Sequence, residues 1–169
     1  KSNAYGHGLL ELAELSLGSG ADLLGVNSLE EAITVRSKFP TAIILIMGSI
    51  PHFKNRLHLL ADENFWILVS SESEISELQK LNPRPKIHLK LDTGMSRLGQ
   101  SEKNWEMIAS SLSEKKMYLD GIATHFASTE DFTEHSYSQK QLNSFLKAES
   151  IFKKNGYNNL VKHCASSAS

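Results

Sequence analysis

The chain has 169 residues, 40% hydrophobic and 22% charged, with a net charge of -1, which fits a folded globular protein and excludes a disordered one. With no basic stripe carrying interleaved aromatics, nucleic acid and anionic membrane are poor partners, and the longest apolar run, 42–47, is too short to span a bilayer. One cysteine, Cys164, excludes an internal disulfide framework and fits a reducing, cytoplasmic location.

In chain order, Lys1 comes first, inside the small turn Lys1-Ser2-Asn3-Ala4-Tyr5-Gly6-His7-Gly8. An amine can form an imine with an aldehyde cofactor, and a phenol four residues on can hydrogen-bond its phosphate tail. A functional lysine at the first position is expected of an excerpt whose first strand lies upstream. Residues 9–17 then read as a helix, and 22–27 as a buried strand. Ser28 with Glu31 forms a capping-box pattern opening a helix over 29–39. Strands follow at 42–48 and 65–70, with a less distinct helix over 51–62 between them. A helix over 72–81 stops before Pro83, and a strand runs over 86–92. The next helix, 101–115, has a serine cap and an inner stripe of Trp105, Ile108, Ala109 and Leu112. A strand over 119–126 precedes a helix over 139–154 with Leu142, Phe145, Leu146 and Ile151 on one side. The last strand is 160–165.

Strands and helices alternate, so βα units and a parallel sheet are expected. Six strands, and a seventh ending at Lys1, fit an incomplete (β/α)8 barrel of the TIM type, its first strand truncated and its last βα unit missing. A doubly wound sheet is the alternative, though no G-x-G-x-x-G follows any strand.

Polar residues gather where strands give way to loops. These places are Lys1 to Gly8, Lys90 to Gly99, Thr124-His125-Phe126 and His163-Cys164-Ala165-Ser166-Ser167. In a barrel such ends share the face on which active sites are built. Each residue also has a plainer reading. Lys90 and Asp92 have the same parity on one strand and could form an ion pair, and a lone histidine is more often structural than catalytic. The seven histidines, His7, His52, His58, His88, His125, His135 and His163, contain no H-x-x-x-H or H-x-H pair, so a metal site is not expected.

Four segments carry a family resemblance. Lys1 to Gly8 resembles the pyridoxal-phosphate attachment segment of bacterial alanine racemases. His88-Leu89-Lys90-Leu91-Asp92-Thr93-Gly94-Met95-Ser96-Arg97-Leu98-Gly99 is similar to a second motif of that family. Thr124-His125-Phe126-Ala127 and His163-Cys164-Ala165-Ser166-Ser167-Ala168 are similar to a third and a fourth, in the family's order. The resemblance implies a partial pyridoxal-phosphate-binding barrel over 1–169, without the family's C-terminal β domain. It implies an isomerase that interconverts L- and D-alanine with pyridoxal 5'-phosphate and supplies D-alanine for peptidoglycan. Lys1 would hold the cofactor as an internal imine and act as one base. Tyr5 and Ser167 would bind the phosphate, and Arg97 the phenolic oxygen. Lys90 matches a lysine often carbamylated. His125 would belong to the hydrogen-bond chain toward the second base. His163 would support an arginine facing the ring nitrogen. In the family the second base is a tyrosine of the partner subunit, so a homodimer is expected for the intact protein and inactivity for this piece alone. Ser166 departs from the family's usual Asn, and Ser96 stands where Gly is common. A racemase for serine or another small amino acid, and a non-catalytic pyridoxal-phosphate carrier, are the rival readings.

Overall fold

The computed structural model describes residues 2–49, 54–127, 129 and 136–166. Lys1 and Ser167, and the 51–53 part of the indistinct helix, lie outside the described residues. Two compact units are present: Lys1–Leu68 with Lys80–Lys86, and Val69–Gln79 with Ile87–Ser169.

The first unit opens with a turn that the sequence does not announce. Ser2, Asn3, Ala4 and Tyr5 all have φ between 52° and 55°, a left-handed helical turn. Left-handed backbone costs an L-residue roughly 1–2 kcal/mol, and Asn tolerates it best of the four present. Asn3 organises the turn. Its carbonyl accepts the amides of Gly6 and Gly8, both at 3.1 Å. Its side-chain Oδ1 accepts the amide of Leu9 at 2.8 Å, at the start of helix α1 (Leu9–Gly18). Asn3→Ala should destabilise this unit by about 2 kcal/mol, one hydrogen bond plus the lost left-handed preference, read as a lower urea midpoint.

Strands β1 (Leu24–Val26), β2 (Ile44–Ile46) and β3 (Trp66–Val69) pair in parallel in the order β1-β2-β3. They are shorter than the apolar runs that mark them in the sequence. The capping box is present at α2 (Leu29–Lys38). Ser28 Oγ accepts the Glu31 amide at 3.1 Å, and Glu31 Oε2 reaches back to the Asn27 amide at 2.7 Å. Near the end of α2, Arg36 donates to the carbonyls of Pro40, Ala42 and Glu63 and stacks over Phe65. One guanidinium thus joins the loop before β2 to the turn before β3. Helix α3 is confined to His58–Asp62.

In the second unit, α4 (Glu72–Leu78) opens on a similar box. Ser71 Oγ accepts the Glu74 amide, and Glu74 Oε2 accepts the Ser70 amide. Strand β4 (Lys86–Asp92) has the expected bounds. It pairs in parallel with β5 (Gln100–Ser101) and with β6 (Gly121–His125), which pairs with β7 (Val161–Ala165).

The helix expected at 101–115 is split. A 3-10 turn, Glu102–Asn104, precedes α5 (Trp105–Glu114), and Ser101 makes no side-chain cap. The inner stripe Trp105, Ile108, Ala109 and Leu112 is buried as expected. Helix α6 (Ser136–Lys154) begins earlier than the sequence implies, and its buried stripe differs. Gln141, Phe145, Ala148 and Phe152 face inward, whereas Leu146 is 48% exposed. The four-three-four spacing of the observed set follows one helix face, and it includes a polar residue that a search for apolar periodicity passes over. Among the described residues no helix is long and apolar enough to cross a membrane.

Candidate active site

The second unit holds Lys90, Arg97, His125 and His163. Lys90 lies near the end of β4, on the same strand face as His88 by the two-residue period of a strand. The following segment, 93–99, folds back so that Gly99 abuts the strand. A Cβ at Gly99 would stand 2.9 Å from the Asp92 nitrogen and 3.0 Å from Lys90 Cγ, and φ there is +125°. Only glycine fits both constraints. The return is fixed at its start as well, since Asp92 Oδ1 accepts the amides of Gly94 and Ser96, both at 3.0 Å. Asp92 thereby works chiefly as a loop organiser, while its charge still acts on Lys90. Ser96 has φ +55°, the region that favours glycine, which accounts for the glycine common at this place in the family pattern. Ser96→Gly should raise stability by about 0.5–1 kcal/mol, measured by denaturant unfolding.

The exposed Arg97 guanidinium acts on the half-buried Lys90 amine. Burial first, then the Arg97 charge, lower the Lys90 pKa from 10.5 to about 8, with Asp92 opposing. His163, on β7, is likewise held below the ordinary histidine range by burial and then by Lys90. Burial pushes the neighbouring Cys164 thiol up, away from a reactive thiolate.

Besides Thr93 and Thr124, which lie in the segments of family resemblance, Gln141 and Tyr137, which the sequence reading did not single out, hold this region together. Gln141 is 1% exposed. Its Oε1 accepts the Ala127 amide at 2.8 Å, and its Nε2 donates to the His125 carbonyl at 3.2 Å and Thr93 Oγ1 at 3.4 Å. Thr93 and Thr124 share a hydroxyl contact of 2.8 Å, and Thr124 also donates to the Leu91 carbonyl. Tyr137 donates to the Gly94 carbonyl at 2.6 Å. Helix α6 therefore ties the loop after β4 to the end of β6. The signal available in the sequence was the polar Gln141 on an otherwise apolar stripe. Gln141→Leu removes the side-chain partner of the part-buried Ala127 amide and a bond to the His125 carbonyl and should cost about 2 kcal/mol, seen as a lower denaturation midpoint. The Ser166 hydroxyl, where the family pattern has an amide, is hydrogen-bonded to Thr129.

Tyr5 belongs to the first unit, on the left-handed turn, and is 72% exposed. Among the described residues no group of three His, Cys, Asp or Glu side chains is arranged to hold a metal ion.

A family model described as the alanine racemase N-terminal domain matches residues 1–169. The chain belongs to the alanine racemase family. An alanine racemase of Leptospira interrogans is 44% identical over 169 residues, covering all of this chain and 43% of the relative. Alanine racemase 1 of Oceanobacillus iheyensis is 32% identical over 171 residues, covering 99% of this chain and 46% of the relative. Among solved structures, the Bacillus anthracis alanine racemase with bound L-Ala-P aligns with a TM-score of 0.83 and 34% identity, over 99% of this chain and 44% of that one. The Clostridium difficile alanine racemase gives a TM-score of 0.86 at 26% identity, over 98% and 44%. The fold is thus the expected incomplete α/β barrel of parallel strands alternating with helices. The chain spans rather less than half the length of these alanine racemases.

Proposed function

We propose that the whole protein is a pyridoxal-phosphate-dependent racemase that interconverts L- and D-alanine, a route to D-alanine for peptidoglycan. What supports this reading is the built end of β4, where a loop fixed by Asp92 and Gly99 holds Arg97 so that its charge acts on the half-buried Lys90 amine. Arg97 agrees in kind with an anionic aldehyde cofactor, since it offers a fork of N–H donors.

In this reading Lys1 attaches the cofactor, Tyr5 and Ser167 bind its phosphate, and Arg97 binds its phenolic oxygen. When bound, pyridoxal phosphate supplies an electron sink that lets the substrate α-carbon lose its proton. Lys1 takes or returns that proton on one face. A tyrosine of the partner subunit in a homodimer serves the other face, with His125 in the hydrogen-bond chain leading to it. Two bases on opposite faces invert the centre most directly. Lys90 as a carbamate would reverse its sign, accept from Arg97 and hold that side chain in one rotamer.

The test is the loss of optical rotation of L-alanine by the whole protein with added cofactor, run beside L-serine. Conversion of alanine to an equal mixture is expected. Cofactor binding without racemisation of either amino acid would overturn the reading in favour of a carrier.

A further inference from the structure

We infer that Thr93 is a positioning residue for the proposed reaction: its hydroxyl joins the loop that carries Arg97 to the end of β6 that carries His125. The functional meaning rests on the racemase reading above, but the geometry does not.

Thr93 is the first residue after β4 and begins the loop leading to Arg97. Thr124 is buried and directly precedes His125 on β6. Gln141, buried on α6, binds both the His125 carbonyl and the Ala127 amide. The Thr93 hydroxyl lies between these two supports, with Thr124 Oγ1 at 2.8 Å and Gln141 Nε2 at 3.4 Å.

The direction of each bond follows from the backbone groups at the two ends. A carbonyl only accepts, so Thr124 uses its one proton on the Leu91 carbonyl, at 3.0 Å. The contact between the two threonines therefore uses the Thr93 proton, and Thr124 accepts it. Thr93 Oγ1 then offers only lone pairs, and an N–H of Gln141 faces it. The orientation of the Gln141 amide is set independently, because the Ala127 N–H requires an oxygen and the His125 carbonyl requires an N–H. The chain thus runs from Gln141 to Thr93 to Thr124 to Leu91, each group donating to the next. None of its members titrates near neutral pH, so the charge state of Lys90 does not reverse it.

The start of the loop is held a second time by the same helix. Tyr137, one turn before Gln141, donates to the Gly94 carbonyl at 2.6 Å. Gly94 has φ +136°, and a Cβ there would stand 2.7 Å from Tyr137 Oη. Thr93 is where these holds on the loop meet β6. Without its hydroxyl, Thr124 loses a donor and Gln141 loses its longest bond, while both backbone bonds of Gln141 remain. The expected result is a shift of His125 relative to Arg97 in a folded protein. Catalysis is sensitive to such shifts, since a misplacement of about 1 Å can cost about 10²-fold.

The test compares the native whole protein, with cofactor, with Thr93→Val and Thr93→Ser. Thr93→Val keeps the shape and removes the hydroxyl. It should lower kcat about tenfold and change KM less than about threefold. It should also speed hydrogen exchange of the Ala127 amide about fivefold, because the support at Gln141 loosens. Thr93→Ser rebuilds the chain and should stay within about twofold of native in both measurements. A kcat in Thr93→Val equal to the native value would overturn the proposal, as would a Thr93→Ser as slow as Thr93→Val. A hydroxyl that serves stability alone would lower the unfolding midpoint and leave kcat of the folded enzyme unchanged. If Thr93→Val does not fold, Thr93→Ala takes its place with the same expectations. Failure of the racemase reading is separately visible as absent turnover in the native protein. The contrast in Ala127 exchange between the valine and serine variants then decides the geometry by itself.

Discussion

Replacing Lys1 by alanine in the whole protein should abolish the absorbance that pyridoxal phosphate acquires on attachment and lower racemisation by at least 10²–10⁴-fold, roughly the range one positioned acid–base group supplies. Lys1 would hold two roles on one nitrogen, attachment and proton transfer, so both are lost together. Lys1→Arg should fare no better, because a guanidinium stays protonated and does not attach to an aldehyde. A small amine such as methylamine, added to Lys1→Ala, should restore part of the turnover. Alanine turnover within tenfold of the native rate would sink the assignment of Lys1.

The second large effect concerns Lys90. With a pKa of about 8 rather than 10.5, roughly a quarter of the amine is neutral at pH 7.5, against about 0.1% for an ordinary lysine. Only the neutral amine can attack carbon dioxide, so the site favours carbamate formation. A carbamate signal in protein equilibrated with 13C-bicarbonate should grow as pH rises through about 8 and be absent in Lys90→Met. The sign of the stability change separates the two states of this residue. If Lys90 is a cation beside Arg97, Lys90→Met removes a repulsion and stabilises. If it is a carbamate, Lys90→Met removes the acceptor for Arg97, a charge-assisted hydrogen bond of about 1.5–3 kcal/mol, and lowers kcat about 10- to 100-fold. Without carbon dioxide, the unmodified lysine binds fewer protons folded than unfolded between about pH 8 and 10.5. Its contribution to stability therefore rises with pH across that window, and the full penalty is present below pH 8.

The alternation of apolar runs with amphipathic segments made the βα architecture legible, and β4 could be placed to the residue because Ile87, Leu89 and Leu91 recur at the two-residue period along its seven residues. What escaped has physical reasons. Two residues of β5 carry no periodicity. The left-handed turn at Ser2–Tyr5 depends on Asn3 hydrogen-bonding three separate amides, which local propensity does not encode. The sequence pointed to Lys90 and Arg97 as chemistry-bearing residues. It could not point to Gln141 as a support, because its partners lie on other elements: Thr93, His125 and Ala127.

Asn3 has a mechanical consequence. One residue closes the turn with its carbonyl and opens helix α1 with its side chain. The turn therefore cannot pivot independently of the helix, and ten residues of helix damp its motion. Deuterium uptake at the Leu9 amide becomes a reporter of the segment that carries Tyr5. Slow exchange there means a stiff mount for the phenol, and faster exchange in Asn3→Ala would be accompanied by a looser one.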